Sequence, residues 1–325
     1  MPMKPIRDEV LRQLLDSSEA ISGSTLARNL GVSRNAVWKA IESLRMEGYD
    51  IQAATNRGYT LAAGADVLNR VEIARWLKKG EIGTPLEIYD EIDSTNIRAK
   101  ELAVQGAAHG TAVLARQQTG GRGRFGRKFF SPENSGVYIS FVLRPSLPAE
   151  RAVMITSMAA VAVARAMERV ADVKASIKWV NDVYLGTKKA CGILCEAGLD
   201  FESGQMQYVV AGIGVNVGRM DFPPELREIA TSISNECGRD ISRSRFCAEL
   251  INEMNALYPQ LESGAFMAES RARSNVIGRD IVVLRGEERY PATAVDIDDR
   301  GNLLVRREDG SEAVLQSGEI SVRFR

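Results

Sequence analysis

Residues 117–132, QQTGGRGRFGRKFFSP, carry Arg122, Arg124, Arg127 and Lys128 and no acid. Gly120, Gly121, Gly123 and Gly126 are interleaved with the cations, so the backbone is free to fold several positive groups onto one anion. The stretch lacks the spacing and the Lys-Ser/Thr ending of a P-loop. Left empty, a loop of this charge repels itself. The physical reading is a loop that orders when a nucleotide binds. A solvated surface loop, or an Arg/Gly segment that holds nucleic acid, would have the same composition.

Three more polar segments lie beside apolar runs. In IKWVND, strand alternation puts Lys178 and Val180 on one face and Trp179 on the other. A lysine there suits a carboxylate and an attacked phosphate, both anionic; a lysine snorkelling from a strand end gives the same pattern. In DSTN, Ser94 or Thr95 is placed to cap the following helix, leaving its N-terminal amides for an anion or a carbonyl. In AGIGVNV, Gly212 and Gly214 permit close backbone approach, though Gly-x-Gly recurs in many tight strand turns. Metal chemistry has little to work with. There is one histidine, His109, and the Cys191/Cys195 spacing has no second pair, so Cys191, Cys195, Cys237 and Cys247 read as small buried hydrophobes of a reducing compartment.

Elements that could position these groups follow from the hydrophobic periodicity. Residues 4–61 give three helices and a hairpin around TNRG, a winged helix-turn-helix. Ser33 is the N-cap of the third helix and Gly48 its stop. Residues 1–61 hold eight Lys/Arg against seven Asp/Glu, so charge total says little. Placement says more. Arg34, Asn35 and Lys39 fall early on the third helix and Arg57 tips the wing, where donors reach base edges and phosphates. A protein-docking domain is the alternative. A small, polar stretch begins at Ala62, and a short helix is expected over 71–80. Strands and helices then alternate to about 275, with IKWVNDVYLGTKKACGILCEAG read as two strands around a polar turn. From 276 five short strands with Gly turns fit a small barrel. The domains are therefore 1–63, 70–275 and 276–325 in an α+β multidomain chain. Its 325 residues balance 42 Lys/Arg with 42 Asp/Glu, so any nucleic-acid binding rests on local charge. No apolar run reaches the roughly 18 residues that span a bilayer, and the N-terminal residues lack a signal-peptide pattern. The expectation is a cytoplasmic protein without a membrane partner.

DSTN, QQTGGRGRFGRKFFSP, KWVNDVYL…KKACGILCE, VVAGIGVNV and GEISVR come in this order behind a winged helix. Together they resemble the family of bifunctional biotin protein ligases and biotin operon repressors, across essentially the whole chain. The resemblance implies a central mixed sheet with helices of the class II synthetase and lipoate-ligase kind, ended by an SH3-like barrel. It implies a ligase that makes biotinyl-5′-AMP and pyrophosphate from biotin and ATP with Mg²⁺. Biotin then passes to a lysine of a biotin carboxyl carrier protein, of the acetyl-CoA carboxylase type. It also implies that biotinyl-5′-AMP is a corepressor, favouring a homodimer that binds operator DNA.

On matching positions, Ser94, Thr95, Asn96 and Gln118 would hold biotin. Arg122, Gly123 and Arg124 would close over biotin and adenylate, and Arg127 would neutralise phosphate. Lys178 would contact the biotin carboxylate and the α-phosphate. Gly192, Gly212 and Gly214 would admit the ligand to the backbone. Asn181, Asn216 and Arg323 would serve the nucleotide, and Asn181 with Asp182 would organise the metal region. Phe125 and Val180 depart from the pattern, at positions where many members carry a polar or basic residue and proline. Two readings compete: a regulator that senses biotin without turnover, and a lipoate or octanoate ligase on the same fold.

Overall fold

The computed structural model describes residues 5–54, 57–62, 66–200, 205–316 and 320–324, with the side chains of 54, 150 and 320–324 left aside. Two compact units emerge, residues 1–76 and 77–325.

In the first unit α1 (Ile6–Leu15), α2 (Gly23–Leu30) and α3 (Arg34–Met46) precede the antiparallel pair β1 (Ile51–Ala54) and β2 (Gly58–Leu61). Their apolar stripes meet in one core of Val10, Leu11, Leu14, Leu26, Val37, Ile41 and Leu44. Ser33 caps α3 as expected, its hydroxyl accepting from the Ala36 amide at 3.1 Å. The short helix α4 (Arg70–Ala74) adds Val71 to the same core and ends earlier than the sequence suggests.

The second unit is built on a seven-stranded mixed sheet. Its strands are β3 (Leu86–Ile92), β4 (Ala112–Gln118), β5 (Gly136–Leu143), β6 (Ala175–Lys178), β7 (Asp182–Leu185), β8 (Lys188–Leu199) and β9 (Met206–Asn216), in the order β3-β4-β5-β9-β8-β7-β6. Residues 175–199 therefore form three strands, not two, with turns at residues 179–181 and at Gly186–Thr187. Helix α5 (Thr95–Val104) returns the chain from β3 to the parallel β4. The apolar α6 (Val153–Ala171) and the amphipathic α9 (Arg243–Leu257) pack together, and α6 also covers β6 and β8. Short helices α7 (Pro224–Arg227), α8 (Ile233–Cys237) and α10 (Met267–Ala272) complete the layer.

Strands β10 (Asp280–Arg285), β11 (Glu288–Ile297), β12 (Leu303–Arg307), β13 (Glu312–Leu315) and β14 (Ile320–Phe324) make a five-stranded antiparallel sheet, ordered β13-β12-β11-β10-β14, the small SH3-like unit. It is tied to the central sheet at one point of interest. The Trp179 indole N–H, next to Lys178, donates to Gly301 O at 2.9 Å.

Candidate functional site

The centre of the sheet is opened by three glycines, Gly192 on β8 and Gly212 and Gly214 on β9, with Gly192 and Gly214 paired in register. A Cβ on Gly212 would fall on the Asn96 amide, and one on Gly214 would lie 2.6 Å from the Phe129 ring. The glycines thus admit side chains of other elements onto the sheet surface. Above them Ser94, Thr95, Asn96, Gln118, Arg122, Phe129, Gly192, Gly212 and Gly214 line one cavity.

Its polar groups are fixed by one another. No side chain of Ser94 or Thr95 caps α5, contrary to the sequence reading. Gln118, at the end of β4, does this from a distance: its Oε1 accepts from the Thr95 amide at 2.9 Å and from Thr95 Oγ1 at 3.1 Å, while its Nε2 donates to Ser131 Oγ at 3.1 Å. Side-chain geometry alone made Ser94 a plausible cap; the β3–α5 turn instead has the Ser94 amide donating to Asp93 Oδ1 at 2.6 Å. Ser140, fully buried on β5, places its hydroxyl 2.8 Å from Thr95 Oγ1 and 2.6 Å from Asn96 Oδ1. Asn96 Nδ2 donates to Leu194 O at 3.2 Å and to Glu196 Oε2 at 2.9 Å, and Lys100 Nζ meets the other Glu196 oxygen at 2.5 Å. Burial alone would raise the Glu196 pKa; the bonds from Lys100 and Asn96 outweigh it and hold the carboxyl below its usual range.

Beside this cavity, neutral but for Arg122, lies a cationic one of about 360 Å³, lined by Arg124, Arg127, Lys128, Lys178, Asn181, Asp182, Lys189 and Asn216 over an apolar margin of Phe130, Phe222, Leu226 and Ile229. Gly123 joins Arg122, Phe129 and Gly192 in the recess between the two. Burial lowers the Arg124 pKa, opposed by Asp182, and its Nη1 approaches Asn181 Oδ1 at 3.4 Å. Asp182 is itself held 2.6 Å from Lys189 Nζ. Lys178 Nζ stands 5.9 Å from the Tyr184 ring centroid, and burial followed by Asp182 pushes the Tyr184 hydroxyl to about 12. The strand ends at Lys178, so the alternation expected to carry Val180 does not extend that far. Asn216, buried at the end of β9, donates to Thr231 O at 3.0 Å, and its Oδ1 has no hydrogen-bond partner among the described residues.

The Arg/Gly stretch is a folded loop. Arg122 bridges to Lys128, Arg124–Gly126 form a 3₁₀ turn, and Arg124 stacks 4.9 Å from the Phe125 ring centroid. Phe125 adopts φ 57°, a left-handed conformation that disfavours a side chain. Three participants escaped the sequence reading: Phe129, Ser140 and Glu196. The aromatic pair after the arginines was the signal for Phe129; Ser140 lies inside an unbroken apolar strand and gave none. Arg323 sits on β14 with its backbone opposite Val282, and its side chain lies outside the described residues. Arg34, Asn35, Lys39 and Arg57 are all exposed on the first unit, on α3 and in the β1–β2 turn, whose residues 55–56 lie outside the described set. His109 is structural: Nδ1 accepts from the Arg144 amide at 3.2 Å and its ring packs on Tyr258.

A glycine-opened mixed sheet with a folded cationic loop beside it, the setting of a ligase, is what these residues define, and the same pieces recur in known proteins. The Biotin/lipoate A/B protein ligase family matches residues 89–216, an HTH domain residues 7–60, and the Biotin protein ligase C terminal domain residues 276–323. The "Bifunctional ligase/repressor BirA" of Bacillus subtilis is 37% identical over 304 residues, 91% of this chain and 92% of that one. Its Escherichia coli namesake is 30% identical over 320 residues, 95% of each. The structure of the biotin protein ligase of Aquifex aeolicus in complex with biotin and ATP aligns with a TM-score of 0.65 at 29% identity, covering 74% of this chain and 100% of that one. The chain belongs to the biotin protein ligase family, in the form that carries a helix-turn-helix ahead of the ligase domain.

Proposed function

We propose that the protein joins biotin to ATP, transfers biotin to a carrier lysine, and represses biotin-synthesis genes when charged with the adenylate. The observation that carries this reading is the pair of adjoining cavities, one neutral and densely hydrogen-bonded, the other cationic. The first suits the uncharged ureido ring, with Ser94, Thr95, Asn96 and Gln118 around it. The second suits the triphosphate, with Lys178 and Arg127 facing it and Arg122 and Arg124 arriving from the loop. Asn216 offers an acceptor to a base amine, and Arg323 is assigned to the nucleotide on the family motif.

Two anions must meet for the reaction. A carboxylate oxygen of biotin attacks the α-phosphorus, the bond to the bridging oxygen of the β-phosphate breaks, and pyrophosphate leaves. The carrier lysine amine then attacks the acyl carbon and loses a proton, and AMP leaves. Concentrated positive charge in a water-poor site lowers the cost of the first step, and a loop closed over the adenylate shields it until the second. Mg²⁺ would neutralise phosphate charge. Among the described residues no group of three or more His, Cys, Asp or Glu could hold a metal, so the ion would come with ATP, beside Asn181 and Asp182, as Mg²⁺ commonly does.

Among the described residues no helix is long and apolar enough to cross a membrane. The four cysteines are free, which supports a reducing, cytoplasmic setting. The helix-turn-helix supports operator DNA as partner, and an adenylate-linked homodimer would present two recognition helices to a palindrome. Incubation with biotin, ATP and a biotin carboxyl carrier domain tests the enzyme: transfer to the carrier lysine is expected, and its absence, or equal use of lipoate, overturns the assignment.

A further inference from the structure

Of the three tryptophans, Trp76 is 41% exposed, whereas Trp179 buries its ring at 5% exposure with its N–H satisfied. Trp38 is the opposite case. It stands one turn into α3 with 52% of its surface exposed. The inward stripe of α3 is complete without it, since Val37, Ala40, Ile41 and Leu44 bury that face. Helical spacing sets Trp38 against Arg34 and Asn35, at i−4 and i−3, and next to Lys39. The nearest acid on this face, Glu42, is engaged by Arg45 at 2.7 Å. An apolar ring therefore shares its face with one cation and an amide, with Lys39 one step round the helix, on the helix that a helix-turn-helix lays in the major groove.

Duplex DNA offers few apolar features to such a ring. In the major groove it is the C5-methyl of thymine, and that methyl also distinguishes thymine from every other base. A protein partner would be met by the same ring, but Arg34 and Lys39 beside it favour a polyanion. We propose that Trp38 is a specificity residue of the DNA interface, packing its indole on a thymine methyl in each half-site while Arg34, Asn35 and Lys39 hold register. This rests on the repressor reading above.

The test selects duplexes from a randomised library with the full-length protein, biotin and ATP. Each thymine of the selected duplex is then replaced singly by deoxyuridine, which removes only the methyl. Wild-type protein is expected to lose roughly fourfold in affinity at one thymine per half-site, about the worth of one buried methyl. Trp38→Ala is expected to bind the thymine duplex more weakly and to show no further loss with deoxyuridine there. Uniform tolerance of deoxyuridine by the wild type, or undiminished thymine dependence in Trp38→Ala, overturns the contact. So does a Trp38→Ala chain that loses self-association while keeping DNA affinity. Failure to enrich any duplex overturns the repressor reading itself. The deoxyuridine arm uses unaltered protein and stands even where the variant folds poorly.

Discussion

The two cavities of the ligase domain meet at Phe129, yet they are made in opposite ways. The neutral one is held by side chains from α5, β4, β5 and β8 that satisfy one another: Gln118 grips Thr95, Ser140 sits between Thr95 and Asn96, and Glu196 fixes the Asn96 amide. The cationic one takes its charge from a surface loop, from Lys178 at a strand end and from Lys189 on β8, which Asp182 partly offsets. A network closed on itself is rigid and selects shape. Charges on a glycine-rich loop can reorganise around what binds. On the proposed reading, recognition of the vitamin falls to the scaffold and handling of the phosphates to a glycine-rich loop and one strand-end lysine.

Removing charge from the scaffold side of the second cavity breaks the contrast most severely. Lys178→Ala is expected to slow pyrophosphate release by roughly two to three orders of magnitude, read in a continuous pyrophosphate assay; near-normal release would remove Lys178 from the reaction. Gly212→Ala attacks the rigid side, because the added methyl displaces the Asn96 amide. Its biotin affinity should fall by at least tenfold with ATP affinity little changed, measured by calorimetry; a matched loss of both would mean that the two cavities are one mechanical unit. Arg124→Gly strikes the mobile side. Adenylate should escape early and label bystander lysines, seen on blots of a mixed-protein reaction, and labelling confined to the carrier would show that this arginine is no part of the lid.

Acid provides a gentler probe. Glu196 titrates below its ordinary range in the folded protein, so the stability it contributes is present above the unfolded carboxyl pKa and is lost as pH falls through the lower folded value. Biotin affinity should hold from neutrality into the ordinary carboxylate range and drop below it, with Glu196→Gln weakening binding at neutral pH and flattening the acid limb. An unchanged acid limb in that variant would assign it to another group. The smallest effect is expected from Phe125→Gly. Relief of a left-handed side chain and the greater chain entropy of glycine nearly offset, each about 1 kcal/mol, so melting should move by only a few degrees. A large drop would reveal packing by the Phe125 ring.

The same contrast governs what could be read in advance. Charge and glycine are visible in composition, so the loop, Lys178, Gly212 and Gly214 stood out before any fold was known, while Gly192 came only with the family resemblance. The winged helix was equally legible, since its periodicity and caps are local. The neutral network was not. Ser140 is one hydroxyl in GVYISFVL, and nothing in that strand points to Asn96, 44 residues away. The α5 cap failed for the same reason: a neighbour within three residues was assumed, and Gln118, 23 residues on, supplies the acceptor. Three strands were read as two because the hairpin turn at Gly186 is short and polar within a longer polar stretch.

The Trp179–Gly301 hydrogen bond has a bearing on the order of synthesis. The lid, the glycine window and Lys178 have all been translated by residue 214, but the acceptor for the indole beside Lys178 is made nearly 90 residues later. A ribosome therefore releases the charged loop into the cell well before it releases the acceptor for the indole beside Lys178. A chain stopped short of Gly301 keeps the loop arginines, the sheet glycines and Lys178 but lacks that acceptor, and Arg323 with it.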